Sequence, residues 1–309
     1  MQQNSRIVKA VVGILRNADG EILIAERRPD QFMGGYWELP GGKIEDGESN
    51  EVSLARELKE ELGINISAPS LMHTMCHHYE EKTVYLWIYT IDAFDGEAGG
   101  AEGQNITWCT TQKLNDFSLL PTMKAIIHKI CLPDRYWITP KNEPEKALLE
   151  QLQAHISSGA KLVQLRAKTA LNPQFIKHFY EVCRASNTKL ILNTIDKTFK
   201  EECDGWHLTT KELLLLNERP CAEDKLLGAS THNENEGKRA ESIEADYISI
   251  APVEVTKSHP YRAPLGWAKA EELVDKSNLP VYLLGGMSRQ TLKRSLSIRA
   301  QGVAGISQI

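Results

Sequence analysis

The sequence predicts two consecutive α/β domains, the second of which is a barrel of eight strand-helix units. A chain of 309 residues exceeds one ordinary domain and can bury two hydrophobic cores. The first pattern of strands and helices is interrupted at Leu132-Pro133-Asp134, and a new pattern begins at Tyr136. We therefore expect a first domain at residues 1–131, a short linker at 132–135 and a second domain at 136–309.

Short β-rich runs and a closing helix make up the first domain. Residues 7–15 and 22–26 are apolar runs separated by a turn, which predicts an N-terminal β-hairpin. Further strands are expected at residues 85–91 and 106–109, and a helix is expected at 121–130. This succession of elements indicates a mixed α/β domain.

The segment at residues 42–64, GKIEDGESNEVSLARELKEELGI, predicts an amphipathic helix. Apolar residues recur there at helical spacing and are expected to bury one stripe: Val52, Ala55, Leu58 and Leu62. Another face collects three carboxylates, Glu57, Glu60 and Glu61. Like charges three and four residues apart cost roughly a few tenths of a kcal/mol per pair, so their concentration indicates a bound cation. Oxygen ligands this close together suit Mg²⁺ or Mn²⁺.

A solvated helix face is the alternative interpretation of three glutamates, and such strings usually mean no more than that. The residues upstream favour a metal site instead. Pro40-Gly41-Gly42 predicts a tight turn whose backbone can approach a ligand, and Asp46-Gly47 predicts a second turn. With Gly42, Glu48 and the run 56–64, the segment resembles the Nudix box of nucleoside-diphosphate-linked pyrophosphohydrolases.

The rest of the first domain resembles the MutT branch of the Nudix family. The matching residues are Arg27-Arg28, Glu38-Leu39-Pro40-Gly41-Gly42, and Glu102-Gly103-Gln104 in an acidic, glycine-rich loop. The resemblance implies an α/β/α sandwich and a divalent cofactor, Mg²⁺ or Mn²⁺. It also implies water attack on the substrate's diphosphate, which releases a nucleoside monophosphate and pyrophosphate from a triphosphate.

The site residues that this resemblance implies fall into three groups. Metal binding and catalysis are expected from four carboxylates and one backbone carbonyl: Glu57, Glu60, Glu61, Glu102 and Gly41. Glu48 and Arg56 are expected to form a structural clamp between the loop and the helix. Substrate contacts are expected from Arg27, Arg28, Glu38, Gly42, Lys43 and Met123. Without the resemblance, Glu102 is equally well interpreted as a loop charge.

One departure from the family concerns recognition of the nucleotide base. MutT-like 8-oxo-dGTP enzymes place an Asn just before the final helix, whereas this chain has Phe117-Ser118-Leu119-Leu120-Pro121-Thr122-Met123 in that region. A thioether cannot supply the paired donor and acceptor of an amide, so weaker discrimination is expected. Oxidised guanine nucleotides, 8-oxo-dGTP first, are still the leading expected substrates, with a role in nucleotide-pool sanitation, DNA repair and mutation avoidance.

Eight candidate strands in the second domain predict a TIM barrel, whose functional residues lie in the loops after the strand C-termini. The strands are expected at residues 136–139, 162–166, 190–193, 205–208, 226–230, 247–251, 281–285 and 302–306. Several segments resemble the thiamine-phosphate synthase and TenI-like family: Gln164-Leu165-Arg166-Ala167-Lys168, Asp204-Gly205-Trp206-His207-Leu208, Gly228-Ala229-Ser230-Thr231-His232, Ala251-Pro252-Val253, Leu284-Gly285-Gly286-Met287 and Gly302-Val303-Ala304-Gly305-Ile306-Ser307.

This second resemblance implies a phosphorylated small molecule at the C-terminal face of the barrel. The candidate ligand residues are Arg166, Lys168, Asn193, His207, Ser230, His232, Lys257, Gly285, Gly286 and Ser307. The glycine pair and the end of the last strand fit the phosphate pocket that barrels build after strands seven and eight. Surface charge at strand ends is the alternative interpretation of Arg166, Lys168 and His232.

The metal site of the synthase departs from the family pattern in this chain. The synthase holds Mg²⁺-diphosphate with an Asp directly after the third-strand Asn and a second acidic residue after strand four. Here Asn193 is followed by Thr194, and Glu212 lies near the second position. We therefore expect phosphate-ligand binding without thiamine-phosphate synthesis. A tautomerase, a regulator and a relic stay open as interpretations of the barrel.

Composition narrows the expected partners and location. The net charge of −5 argues against duplex nucleic acid as a partner. We find no apolar run of membrane-spanning length and no secretory leader at residues 1–15, and six cysteines show no paired spacing. We therefore expect a cytoplasmic protein, and the sequence is compatible with an oligomer.

Two function classes compete on this sequence. The first is a Mg²⁺-dependent nucleoside triphosphate pyrophosphohydrolase with a barrel partner, which the complete set of glutamates favours. The second is a bifunctional thiamine-pathway protein, whose first domain hydrolyses a thiamine-related diphosphate and whose barrel acts as a thiazole tautomerase or a synthase. A purely binding protein would need two inactive sites, and the intact glutamates argue against that class.

Overall fold

The computed structural model describes residues 6–79, 81–166, 172–193, 195–256, 263–307 and 309. The chain divides between Cys131 and Leu132 into two compact units. Leu132 is buried with core residues of the second unit, and the first barrel strand already begins at Arg135. The segment predicted as a linker therefore belongs to the second unit, because its apolar side chain finds a core position there.

The first unit consists of strands in three sheets and two α-helices. Its strands are β1 (Arg6–Leu15), β2 (Ile22–Glu26), β3 (Trp37–Glu38), β4 (Gly41–Lys43), β5 (Asn65–Ser67), β6 (Ser70–His78), β7 (Lys82–Ile91), β8 (Ala93–Asp95) and β9 (Ile106–Cys109). Its helices are α1 (Asn50–Leu62) and α2 (Met123–Cys131). A 3-10 turn at Thr111–Asp116 precedes α2.

The largest sheet, in the order β4-β1-β7-β6, lies between the two helices. Successive residues of a strand point to opposite faces, so β1 contributes to two cores. Val11 packs in one core with Leu58 of α1. Val12 packs in the other core with Met123 and Ile126 of α2. The helices cover opposite faces of one sheet, which confirms the predicted α/β/α sandwich.

The predicted N-terminal hairpin is wrong. Strand β1 pairs along its whole length with β7, in parallel, and at Ala10 to Val12 with β4. Both of its edges are therefore occupied, and β2 pairs instead with β3 and β9 in a separate sheet. A single antiparallel β-bridge, between Arg16 and Ile22, joins the two segments that were predicted to form the hairpin.

Helix α1 carries the predicted glutamates and has caps at both ends. The Ser49 hydroxyl accepts the Val52 backbone N–H at 3.3 Å, and Gly63 closes the helix in the left-handed region at φ 75°. The buried positions are Ser53, Leu54, Leu58 and Leu62. Val52, which was predicted to be buried, is 56% exposed. It lies six residues before Leu58, a rotation of about 240° that turns it away from the sheet.

The second unit is a closed barrel of eight parallel strands. The strands are β10 (Arg135–Ile138), β11 (Leu162–Leu165), β12 (Lys189–Leu192), β13 (Gly205–Leu208), β14 (Leu226–Thr231), β15 (Tyr247–Ile250), β16 (Val281–Leu284) and β17 (Gly302–Gly305). All eight predicted strands are present, each shifted by at most one residue at either end, and the predicted TIM barrel is confirmed.

Helices follow most of the barrel strands. They are α3 (Glu145–Ser157), α4 (Pro173–Ala185), α5 (Thr210–Leu215), α6 (Glu234–Ser242), α7 (Gly266–Asp275) and α8 (Arg289–Ser297). Between β12 and β13, the described residues form a 3-10 turn at Lys197–Phe199 where a regular barrel has an α-helix.

Three tyrosines fill the lower part of the barrel interior. The ring centroid of Tyr136 lies 5.7 Å from that of Tyr247 and 5.2 Å from that of Tyr282. Their hydroxyls are fully buried but paired: Tyr136 and Tyr247 lie 3.0 Å apart, and Gln164 donates to Tyr136 at 2.9 Å. The Tyr282 hydroxyl donates instead to the Pro133 carbonyl at 2.6 Å. The interior is thus aromatic in bulk and polar at the ring tips, with each hydroxyl hydrogen-bonded.

A buried ion pair joins the loop before β14 to the start of β15. Arg219 donates to Asp246 at 2.7 Å, with side-chain exposures of 8% and 2%. The same Asp246 oxygen accepts the Leu227 backbone N–H at 2.7 Å, and Arg219 donates to the Lys225 carbonyl at 2.7 Å. Removal of one partner would leave a charge without compensation in the interior.

Arg219→Met is expected to destabilise the barrel by about 3–5 kcal/mol, because it leaves Asp246 buried without its cation. Hydrogen exchange of the β14 and β15 amides, measured in the full chain, gives the local opening free energy. Lys238→Met removes an exposed partner of Glu234 and is the control, with an expected change of about 0.5 kcal/mol or less. Equal effects of the two substitutions would contradict a structural role for the buried pair.

Candidate functional site

A cleft of about 1110 Å³ opens on the first unit. Its apolar part is formed by β1, β7 and the start of α2 through Val8, Ala10, Val12, Val84, Leu86, Leu120, Met123 and Ile126. Its polar part contains the Gly41-Gly42 turn and the acidic face of α1. The cleft therefore has an apolar end and an acidic end, and the predicted site residues divide between them.

Glu61 lies at the acidic end, against the backbone of β4. Its Oε2 atom accepts the Gly41 N–H at 2.9 Å. Burial raises the pKa of Glu61 to about 8, and the charges of Glu38, Glu57 and Glu102 add to the rise, while the bond from Gly41 opposes it. A carboxylate in this position resists ionisation until a positive charge approaches.

Both glycines of the turn are required by close contacts. A Cβ atom at Gly42 would lie 2.1 Å from Oε2 of Glu57. A Cβ atom at Gly41 would lie 2.2 Å from the Val11 carbonyl oxygen, and its φ of 145° is one that other residues rarely adopt. The absence of side chains lets the helix carboxylates reach the backbone of β4.

Arg56 holds the loop before α1 onto the helix. Its Nε and Nη2 atoms each donate to one oxygen of Glu48 at 2.9 Å, and Nη2 also donates to the Lys43 carbonyl at 3.1 Å. Arg56 and then Ser53, which donates at 2.6 Å, lower the pKa of Glu48 to about 2. The pair has the bidentate geometry that the clamp prediction requires.

The four predicted metal carboxylates are held by different groups, except that Glu57 and Glu60 share Arg56. Arg56 Nη1 donates to Glu57 at 2.9 Å and to Glu60 at 3.2 Å, and Arg28 Nη1 donates to Glu102 at 3.2 Å. Over the described residues, no three His, Cys, Asp or Glu side chains converge closely enough to hold a metal ion. The structure thus brings the carboxylates to one end of the cleft but does not gather them around a point.

The chemistry of these donors nevertheless fits a hard divalent cation. All are carboxylate oxygens, and burial together with neighbouring charges raises the pKa of Glu57 as well as that of Glu61. A dication would relieve this repulsion and could draw Glu57, Glu60, Glu61 and Glu102 together.

The apolar end contains predicted and unpredicted residues. Arg27 is paired with Glu38, whose pKa is raised because burial outweighs that pairing. Met123, the first residue of α2, is 2% exposed and packs in the core as well as lining the cleft. The sequence prediction missed Phe32, Tyr79, Lys82 and Thr122, which also line it. These residues lie in turns or at the start of a strand, so no periodic pattern in the sequence marks them as site residues.

The predicted barrel residues divide between the rim and the interior. Arg166, Asn193 and Gly285 directly follow strands β11, β12 and β16. Lys168 and Lys257 lie outside the described residues. Gly286 follows Gly285, and Ser307 comes two residues after β17. The strand ends thus place five predicted residues at the C-terminal face of the barrel.

His207 lies inside the barrel. It is 4% exposed, and its Nε2 atom is 3.0 Å from the Ser230 hydroxyl and 3.3 Å from the Ser249 hydroxyl. Burial, with the Arg166 charge in addition, lowers its pKa to about 3. His207 is therefore a neutral hydrogen-bonding group beneath the mouth, where it positions Ser230.

Arg166 is half-buried at the mouth. Its backbone is fixed by Thr139, whose hydroxyl accepts the Arg166 N–H at 2.8 Å and donates to the Arg166 carbonyl at 3.0 Å. Burial lowers the pKa of its guanidinium. In the part of the chain that the structure describes, this guanidinium has no hydrogen bond or ion pair.

Gly285 and Gly286 are required by packing. A Cβ atom at Gly285 would lie 2.7 Å from Cα of Pro252, and one at Gly286 would lie 2.6 Å from Cβ of Glu254. The Glu254 carboxylate accepts the Trp267 indole N–H at 2.7 Å. Close packing accounts for both glycines, and Glu254 brings negative charge to their side of the rim.

Two other polar residues near the mouth are hydrogen-bonded at helix starts. Glu212 accepts both the backbone N–H of Thr209, at 2.8 Å, and its hydroxyl, at 2.7 Å, in a capping box of α5. His232 bonds through Nδ1 to Glu236 at 3.0 Å, at the start of α6. Both side chains thus stabilise helix starts.

Comparison with known proteins identifies both units. A family model described as thiamine monophosphate synthase matches residues 135–309, and a NUDIX domain model matches residues 11–129. The 8-oxo-dGTP diphosphatase of Escherichia coli (strain K12) is 36% identical over 123 residues, which cover 40% of this chain and 95% of that protein. The CTP pyrophosphohydrolase of the same strain is 30% identical over 116 residues, which cover 38% and 85%.

The barrel has relatives of its own. A putative thiamine-phosphate synthase 2 of Aquifex aeolicus (strain VF5) is 33% identical over 181 residues, which cover 57% of this chain and 97% of that protein. The chain therefore belongs to the Nudix family through its first unit and to the thiamine monophosphate synthase family through its second. The first unit is a Nudix pyrophosphohydrolase. None of the helices in the described ranges is long and apolar enough to span a membrane.

Arg56→Lys is expected to weaken divalent-cation binding and to lower turnover together. An ammonium group cannot bond both Glu48 oxygens while also reaching Glu57 and Glu60. Isothermal titration with Mn²⁺ and initial rates of nucleotide hydrolysis measure the two effects. Lys59→Arg, on the exposed face of the same helix, is the control and should change neither. If Mn²⁺ affinity is unchanged while kcat collapses, Arg56 is not a clamp.

Proposed function

We propose that the first unit is a Mg²⁺- or Mn²⁺-dependent nucleoside triphosphate pyrophosphohydrolase. The observation that carries the proposal is the environment of Glu61, a buried carboxylate bonded to the Gly41 N–H and surrounded by Glu38, Glu57 and Glu102. A bound cation would relieve the repulsion among these carboxylates. The adjoining cleft is large enough for a nucleotide.

In this proposal the residues have distinct roles. Glu57, Glu60, Glu61 and Glu102 hold the cation, which lowers the pKa of the attacking water and neutralises charge on the phosphates. Arg56 keeps Glu57 and Glu60 on the same side of α1 and ties them to Glu48. The Gly41-Gly42 backbone lets the diphosphate approach these carboxylates, and Lys43 on the rim meets its charge.

Oxidised guanine nucleotides are the first candidate substrates. The similarity to the 8-oxo-dGTP diphosphatase of Escherichia coli, which is 36% identical over 123 residues, supports the choice. In this proposal the apolar end of the cleft receives the nucleotide base. Thr122 and Met123 lie there, and the segment 117–123 contains no Asn or Gln side chain. We therefore expect a preference for 8-oxo-dGTP over dGTP that is smaller than in Asn-bearing relatives. This activity would act in nucleotide-pool sanitation in the cytoplasm.

A thiamine-related diphosphate is the second candidate substrate of the first unit, since the same chain carries a synthase-type barrel. Positive charge at the apolar end of the cleft disfavours a thiamine-related diphosphate. Lys82 is close enough to Arg27, Lys43 and Arg6 for each to lower its pKa, after the larger effect of burial. A positively charged thiazolium ring would add to this repulsion, whereas a neutral base would not.

For the barrel we propose binding of a phosphorylated small molecule without thiamine-phosphate synthesis. The half-buried guanidinium of Arg166 at the mouth supports anion binding. Two features oppose synthesis. Thr194 stands where the synthase has an acidic metal ligand, and the Glu212 carboxylate is engaged in the capping box of α5.

Glu61→Gln is expected to lower kcat by several powers of ten and to leave the fold intact. The amide oxygen can still accept the Gly41 N–H, but the charge at the cation site is lost. Initial rates with dGTP and Mg²⁺, beside circular dichroism, measure the two effects. Glu51→Gln makes the same chemical change in the first turn of α1, outside the cleft, and should retain full activity. Near-wild-type turnover in the Glu61 variant would remove the basis for the proposal.

The full chain is expected to bind the thiazole phosphate substrate of the synthase but to form no thiamine phosphate when the pyrimidine diphosphate is added with Mg²⁺. Isothermal titration measures the binding, and product formation is followed by chromatography. Arg166→Met should abolish binding, because the guanidinium is the anion contact, whereas Arg184→Met on α4 should not. Robust product formation would overturn the argument from Thr194 and Glu212.

A further inference from the structure

Two hydroxyl groups lie at the apolar end of the cleft, on Tyr79 and Thr122. Thr122 is 7% exposed and directly precedes α2. The Tyr79 ring packs edge-on against Phe32, with centroids 5.6 Å apart, and against His77, with centroids 4.5 Å apart. Packing therefore fixes the position of both side chains, while their hydroxyl protons can still rotate.

The two hydroxyls line the same cleft. Burial raises the pKa of the Tyr79 phenol more than the Thr122 side chain lowers it. Tyr79 therefore stays protonated at neutral pH and presents a donor as well as an acceptor. The walls around the pair, Val84 and Leu86 on β7, are apolar.

Other polar side chains at this end of the cleft are already engaged. Arg27 is paired with Glu38 and donates to the Phe32 carbonyl at 2.7 Å. The Gln31 side chain accepts the Arg28 N–H at 3.1 Å, and the Lys82 ammonium lies 3.9 Å from the centroid of the Phe32 ring. The Tyr79 and Thr122 hydroxyls are neutral groups that can bond the edge of a planar base in an apolar slot.

We propose that Tyr79 and Thr122 read the base of the substrate and make this hydrolase tolerant of several bases. The inference rests on the proposed nucleoside triphosphate pyrophosphohydrolase function. An amide presents its donor and acceptor in fixed positions, whereas a hydroxyl serves as either, according to its rotation. The pair can therefore bond 8-oxoguanine, guanine or cytosine, and discrimination among them falls to the shape of the slot.

The experiment removes each hydroxyl with the least change of volume. The variants are Tyr79→Phe and Thr122→Val, with Thr122→Ser as the variant that keeps a hydroxyl. The substrates are 8-oxo-dGTP, dGTP, dCTP and 2-deoxyribose 5-triphosphate, which has the reacting phosphates but no base. Values of kcat and KM are measured separately for each in the presence of Mg²⁺.

In wild-type protein, kcat/KM for 8-oxo-dGTP is expected to exceed that for dGTP by less than about 100-fold, the range that shape alone supplies. Tyr79→Phe and Thr122→Val are expected to lower kcat/KM for every nucleotide by roughly 3- to 10-fold, mainly through KM. The baseless triphosphate should be unaffected, and Thr122→Ser should behave as wild type.

Three other outcomes would count against the inference. Equal losses on nucleotides and on the baseless triphosphate would assign the hydroxyls a structural role and overturn it. Unchanged kcat/KM in both hydroxyl-free variants would also overturn it. Wild-type protein that hydrolyses none of the nucleoside triphosphates would overturn the proposed function itself, and the base-reading pair with it.

Discussion

The first unit depends on crowded negative charge at the point where α1 meets the Gly41-Gly42 turn. Glu57 and Glu61 project from the helix toward the two glycines of β4, where a Cβ at Gly42 would overlap the Glu57 carboxylate. Repulsion of this kind would drive the helix away from the sheet. Leu58, buried in the core beneath α1, and the Arg56 pairing with Glu48 oppose it. Packing of α1 and one bidentate ion pair thus hold the negative charges together.

The barrel places polar groups in its interior under a different constraint. Tyr136, Tyr247 and Gln164 are inaccessible to water and satisfy one another. His207 continues this network upward, and its lowered pKa keeps it neutral beside Arg166. Protonation of His207 would bury a second positive charge at that depth, and the free-energy cost would exceed the contribution of its hydrogen bonds. In the described part of the mouth, Arg166 therefore keeps its charge above a neutral interior.

Sequence reasoning succeeded where chain-local spacing carries the information. The strands of the barrel follow from runs of apolar residues between turn residues, whereas the shared metal chemistry of Glu57, Glu60 and Glu61 stays a prediction from their spacing. Prediction from sequence failed for strand pairings and side-chain contacts that join residues far apart in the chain. Alternation along β1 shows that it is a strand, but not that β7 and β4 occupy both of its edges and exclude β2. Tyr79 and Thr122 meet only through the fold, since neither lies in a periodic pattern.

Helix α5 has six residues, too few to be stable without help, and its first turn is secured by the Glu212 carboxylate. A cap of this kind contributes about 1 kcal/mol. Glu212 could take part in binding a ligand only by releasing Thr209, which would loosen that turn. A carboxylate that caps so short a helix is therefore tied to local stability, and any change that recruits it to a ligand must also supply a new cap.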